Sequence, residues 1–123
     1  MKREELKSFI LENYLAATDR PWQKYPNFEV FRHPGSGKWF ALIMDVPRSR
    51  LGLSGFGTID VVNLKCDPVL VASLHGESGI FPAYHMNKEN WLTVALDGSA
   101  ADDMLRALLD MSYTLTRPKR RKK

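Results

Sequence analysis

The fold class predicted for this sequence is α+β: a mostly antiparallel sheet covered on one face by N- and C-terminal helices, with a short middle helix. Three observations carry that prediction. Apolar side chains recur at helical spacing near both chain ends, and three β-rich runs follow one another through short turns between them. A length of 123 residues with 44% hydrophobic content suits one core rather than two.

From Lys2 to about Ala17, the residues Leu6, Phe9, Ile10 and Tyr14 share one face of a helix, which Asp19-Arg20-Pro21 ends. Trp22 to Asn27 reads as an irregular connection. Phe28–His33 alternates, Pro34-Gly35-Ser36-Gly37 is a turn, and Lys38–Val46 is a second β-rich run, so the three make a hairpin. Pro47–Gly57, with glycines at 52, 55 and 57, predicts a mobile loop before a third strand, Thr58–Lys65. Asp67 can accept the first free N–H groups of a helix and Pro68 suits its first position, so Val69–His75 is a short helix that Gly76 stops. Glu77–Ala83 is loop and Trp91–Leu96 a strand closed by Asp97-Gly98. Ser99 with Asp102 has capping-box spacing, and Leu105, Leu108, Leu109 and Ser112 mark the inward face of a last helix that ends before Pro118. The second face of such a sheet is left free to be solvated or to bind.

Net charge is +4, but six of the eighteen basic residues lie in the last seven positions. Without them twelve basic side chains stand against fourteen acidic ones, a formal charge of −2 for residues 1–116. The sequence therefore predicts one domain over 1–116 and a basic, disordered tail over 117–123. No apolar run approaches the roughly 18 residues of a membrane span, and the lone Cys66 forms no internal disulfide. A cytoplasmic bacterial protein is expected, monomeric, with no membrane partner, no metal and no cofactor.

Catalytic constellations are sparse. Cys66 precedes a helix, where a thiolate is favoured, but Asp67 beside it works against that, and spacing joins it to none of His33, His75 and His85. Those histidines lack a metal-ligand pattern. Asp102 and Asp103 suit a helix first turn. The glycines of Gly52–Gly57 lead into a strand rather than a helix and lack a Gly-Lys-Ser/Thr ending, which excludes a phosphate-binding loop. Basic side chains on projecting turns carry more: Arg32 and Lys38 flank the first turn, Arg48 and Arg50 lie in the second loop, and two loops at one sheet edge would straddle a duplex.

At Tyr84–Ser99 the sequence reads YHMNKENWLTVALDGS, which closely resembles the signature of the MmcQ/YjbR family, small bacterial proteins with a CyaY-like fold, that of bacterial frataxin. Asn63-Leu64-Lys65-Cys66-Asp67-Pro68 resembles that family's strand-to-helix junction, so the likeness spans nearly the whole chain, weakest from Val46 to Gly57. The resemblance implies DNA binding through "double wing" loops, here Pro34–Lys38 and Pro47–Gly57. Relatives commonly carry His at the position of Asn90, so a role needing an imidazole there does not carry over. Iron handling, which the frataxin-like fold also suggests, needs an acidic ridge, whereas Lys2-Arg3-Glu4-Glu5 and Lys7 mix the signs. The signature itself reads mechanically: Asn87 caps a turn through Asn90, Trp91 anchors the strand, and His85 and Lys88 are left for a binding surface.

The expectation is a non-enzymatic, sequence-independent DNA-binding protein without catalytic residues. Its phosphate contacts are Arg32, Lys38, Arg48, Arg50 and Lys88, with Arg117, Lys119, Arg120 and Arg121 from the tail. The alternative is a protein-interaction or small-ligand module using the open sheet face near Trp39, His85 and Lys88.

Overall fold

A computed structural model describes residues 1–118. Six strands form one antiparallel sheet in the order β1-β2-β3-β4-β6-β5: β1 Ala17–Asp19, β2 Glu29–Arg32, β3 Trp39–Pro47, β4 Thr58–Lys65, β5 Ile80–Pro82 and β6 Trp91–Ala95. The helices are α1 Arg3–Asn13, α2 Pro68–Ser73 and α3 Asp102–Thr116, with a single 3-10 turn at Arg48–Leu51.

One face of the sheet packs against the helices as expected. Leu6 and Ile10 of α1 and Leu105, Leu108 and Leu109 of α3 close on Phe31, Phe40, Ile43, Val62 and Leu64. Buried Glu29 sits on this face, clasped by Lys7 at 3.1 Å and by the Thr18 hydroxyl at 2.6 Å. Burial alone would raise its pKa, but the bonds from Thr18 and Lys7 and the charges of Lys7 and Arg20 outweigh that and hold the carboxyl below its usual range. Arg32 pairs with Trp39 and Phe31 with Ala41, so Phe40 is an extra residue on β3 and turns to the helix side together with Ala41. The fully buried Ser112 hydroxyl repairs the ladder there: it donates to the Phe40 carbonyl at 2.5 Å and accepts the Lys65 N–H at 2.8 Å.

The second face is not open. Phe28, Val30, Leu42, Met44, Val46, Ile59, Val61 and Ala95 form a second core, covered by side chains of three connections: Trp22, then Leu51 and Leu53, then Tyr84 and Met86. The expected open face near Trp39, His85 and Lys88 is therefore corrected to a buried one. The connection Pro47–Gly57 is tied down rather than free, because Arg48 donates its backbone N–H to the Gly57 carbonyl at 3.0 Å and its Nε to the Ser54 carbonyl at 2.8 Å. Only its tip projects, with Phe56 fully exposed.

Three local expectations change. The first helix ends at Asn13 instead of about Ala17, because Tyr14 swings to extended geometry to place its ring 4.7 Å from that of Tyr113 and its hydroxyl on Asp110. That frees Ala17–Asp19 to pair with β2 as the edge strand β1. In Glu77–Ala83 the residues Ile80–Pro82 form the other edge strand. The Ser99–Asp102 capping box does not form, since Ser99 bonds back to Asp97 and α3 starts at Asp102 behind Ala101. At Asp67 the cap forms as expected, accepting the Val69 N–H at 2.9 Å.

Candidate functional site

Successive hairpins in an antiparallel sheet turn at opposite ends of their shared strand. The turn at 33–38 and the loop at 48–57 flank the nine residues of β3, which places them roughly 30 Å apart at about 3.3 Å per residue. They do not share one sheet edge, which corrects the expectation of two loops straddling a duplex, and the candidate cations divide accordingly.

At the end holding the 33–38 turn, Lys38, Lys65 and Thr116 line one groove of about 280 Å³ with the indoles of Trp39 and Trp91. Lys65 was not a candidate in the sequence; its register opposite Trp91 across β4 and β6 brings it there. Arg117 follows Thr116 directly, and its charge and that of Lys38 both reach His33. Among the described residues none of Lys38, Lys65 and Arg117 has an ion-pair partner. Arg32 lies near this end but is engaged: it pairs with Asp19 at 2.9 Å, reaches the Gly37 carbonyl and covers the Trp39 ring at 5.3 Å. Lys119, Arg120 and Arg121 lie outside the described residues.

The other end carries both signs, with Asp60 paired to Arg3 at 3.4 Å, Asp102 to the N-terminal ammonium at 2.8 Å and Asp103 to Arg106 at 3.1 Å. Asp45 and Asp60 face one another across β3 and β4, Asp97 follows β6, and Asp102 and Asp103 open α3. Arg48, half buried, and Arg50, exposed, belong to this end. Asp97 is held below the usual carboxylate range chiefly by the Ser99 hydroxyl, with the Arg48 charge adding to it.

Lys88 lies on the connection from β5 to β6, outside the lining of the Lys38–Lys65 groove, with its Nζ donating to the Ala83 carbonyl at 2.8 Å. In the signature around it Asn87 caps its turn as expected, whereas Trp91, expected to anchor the strand, is half buried, belongs to neither core and lines the groove beside Lys65. Asn87 Oδ1 accepts the Glu89 N–H at 2.8 Å, and the Asn90 carbonyl accepts the Cys66 N–H at 2.7 Å. Asn63 and Thr93, both fully buried, clasp Tyr84 through its carbonyl and its N–H. His85 is exposed, in left-handed geometry with φ 63°, its ring against that of Tyr84.

Cys66 is buried against Met111, and burial, then the neighbouring Asp67 charge, push its thiol up and away from the reactive thiolate. His33 is buried and bonds Thr116 Oγ1 at 2.7 Å. Among the described residues no three of His, Cys, Asp and Glu are grouped to hold a metal ion, and no helix is long and apolar enough to cross a membrane.

Comparison with known proteins places this geometry in context. The YjbR family model matches residues 11–115. Uncharacterized protein YyaQ of Bacillus subtilis (strain 168) is 38% identical over 117 residues, covering 95% of this chain and 99% of that protein. Uncharacterized protein YjbR of Escherichia coli (strain K12) is 43% identical over 53 residues, 42% of this chain and 45% of that one. The crystal structure of a Pseudomonas syringae protein superposes with a TM-score of 0.92 at 43% identity, over 95% of this chain and all of that one. A Deinococcus radiodurans crystal structure gives a TM-score of 0.70 at 28% identity, over 93% of this chain and 77% of the other.

Proposed function

The chain belongs to the YjbR family, and from that premise we propose that it is a non-enzymatic, sequence-independent DNA-binding protein that contacts phosphates with Lys38, Lys65 and Arg117. The observation carrying this reading is the convergence of Lys38 and Lys65, without ion-pair partners among the described residues, on a groove lined by two tryptophans, with Arg117 next in the chain to the lining residue Thr116. The basic residues 119–123 follow directly from it in the chain. Phosphate neutralisation by such side chains supplies sequence-independent affinity, and the half-buried tryptophans beside them suit sugar contact. Arg48 and Arg50, at the other end of β3, and Lys88, on the second face, are outside this interface.

The test is fluorescence anisotropy of a short labelled duplex across roughly 50 to 200 mM salt. The full chain is expected to bind at low salt with affinity falling linearly on a log–log plot. Lys38→Gln with Lys65→Gln should reduce the slope by about two, close to one per lost phosphate contact. Absence of binding at low salt ends the proposal. If the lysine pair leaves the slope unchanged while removal of residues 117–123 abolishes binding, the groove is irrelevant and the terminal residues act as an unspecific polycation.

A further inference from the structure

Where α2 ends beside the edge strand β5, the surface opens into a groove of about 710 Å³, a size typical of small-molecule sites. Its lining is largely apolar, with Val71 and Ala72 from α2, Ile80 and Phe81 from β5, and Leu92 from β6. A second depression of about 330 Å³ adjoins it across Phe81, Pro82 and Lys88, which line both, and includes Arg50. Ile80 and Leu92 belong to the helix-side core and Phe81, Leu51 and Tyr84 to the second, so the two depressions meet at the edge strand with Lys88 lining both and Arg50 lining the second. Both residues are exposed, and neither has an ion-pair partner among the described residues. Lys88 gives one of its three N–H groups to the Ala83 carbonyl, which leaves two for a ligand. The carboxylate in the lining, Glu77, belongs to the turn after α2.

A peptide strand is a poor occupant for this edge. Gly79 presents its carbonyl to Ala95 on the β6 side, so by alternation Phe81 also turns its N–H inward. The Ile80 N–H is taken by the Glu77 carbonyl at 3.1 Å, and Pro82 has none. The edge thus offers an incoming strand no donor, whereas an apolar groove edged by Lys88, with Arg50 in the adjoining depression, is complementary to a small molecule that is apolar at one end and negative at the other.

We propose that the α2–β5 groove binds a small amphipathic anion, its apolar part against Val71, Ile80 and Leu92 and its carboxylate or phosphate between Lys88 and Arg50. The site is separate from the Lys38–Lys65 groove and does not rest on the nucleic-acid reading.

Titration of the isotopically labelled full chain with decanoate, decyl phosphate and decylammonium, each below its micelle concentration, tests this by amide shifts. Decanoate or decyl phosphate should move the resonances of Val71, His75, Phe81 and Lys88, and the more strongly bound of the two identifies the head group. Decylammonium should bind at least about tenfold more weakly, the scale of a charged hydrogen bond. Lys88→Gln should weaken the anions about tenfold and erase their advantage over the cation, with Arg50→Gln acting in the same direction. Ala72→Trp, at an exposed position, should fill the groove and block all three. Equal affinity for anion and cation, no shifts in the groove, or binding indifferent to Ala72→Trp would each overturn the proposal.

Discussion

Gly79 shows how one residue can carry both backbone and packing constraints. Its φ is +77°, and a Cβ there would lie 2.6 Å from the Ala100 nitrogen and 2.9 Å from the Ala100 side chain, where β5 leaves no space beside the start of the α3 region. Gly76, with φ +86°, has nothing within 4 Å of the same position. Gly76→Ala should therefore cost only the left-handed penalty, about 1–2 kcal/mol, whereas Gly79→Ala should cost about 3 kcal/mol or more, because overpacking adds to it. Denaturant midpoints of the two variants decide the point, and equal losses would mean that Ala100 yields. His33 makes a pH prediction. Burial first, then the charges of Arg117 and Lys38, lower its pKa against the opposing hydrogen bond with the Tyr113 backbone, so the folded chain holds the imidazole neutral. A lowered folded value means that its contribution is present above the unfolded value, about 6.5, and is lost as pH falls below that toward the folded value. Unfolding free energy should drop between about pH 7 and 5.5 in the parent and less steeply in His33→Gln; parallel slopes would remove His33 as the cause.

Each connection is held to the sheet by a device that depends on distant residues. For the crossing segment it is a closed set of three bonds: Asn63 Nδ2 donates to the Tyr84 carbonyl at 2.7 Å, the Tyr84 N–H to Thr93 Oγ1 at 2.8 Å, and the Thr93 hydroxyl to Asn63 Oδ1 at 2.6 Å. Thr93→Val keeps the shape but leaves a buried N–H and a buried carbonyl oxygen without partners, at a cost of about 2–4 kcal/mol. Hydrogen exchange should at the same time accelerate at Tyr84 to Asn90 more than in α3; unchanged exchange there would show that packing alone holds the segment. Such devices also mark where the sequence is readable. Thr58–Lys65, the Asp67 cap and the inward face at Leu105, Leu108, Leu109 and Ser112 follow from local chemistry, and the structure has them at those residues. The edge strands β1 and β5, three residues each, are too short to show alternation and exist because β2 and β6 pair with them. The second core had a signal: Phe40 to Met44 is apolar without interruption, the mark of a strand buried on both faces rather than one. The opposite placement of the two loops was equally implicit in the hairpin order.

Cations without ion-pair partners gather at one end of β3 and α3. Where α3 begins, Asp60, Asp102 and Asp103 are paired with Arg3, the N-terminal ammonium and Arg106, whereas where it ends Lys38, Lys65 and Arg117 have no ion-pair partner among the described residues, so a chain whose residues 1–116 carry a formal charge of −2 still presents one basic pole. Lys65 shows why this was hidden in the sequence: its place beside Lys38 depends on the long-range registers of β3, β4 and β6, which no local pattern encodes. A single basic pole makes a definite prediction about how a duplex would lie. The two loops stand roughly 30 Å apart by strand rise, close to the roughly 34 Å of one duplex turn, so a duplex along the sheet would engage both, and one held at the basic pole would engage only that end. In the second case each pole lysine contributes about 0.9 to the log–log salt slope and Arg50 contributes nothing. Arg50→Gln should accordingly leave the slope of the full chain unchanged, while Lys65→Gln lowers it by about one. A slope lowered equally by both substitutions would place the duplex along β3 and make the end holding the 48–57 loop part of the contact.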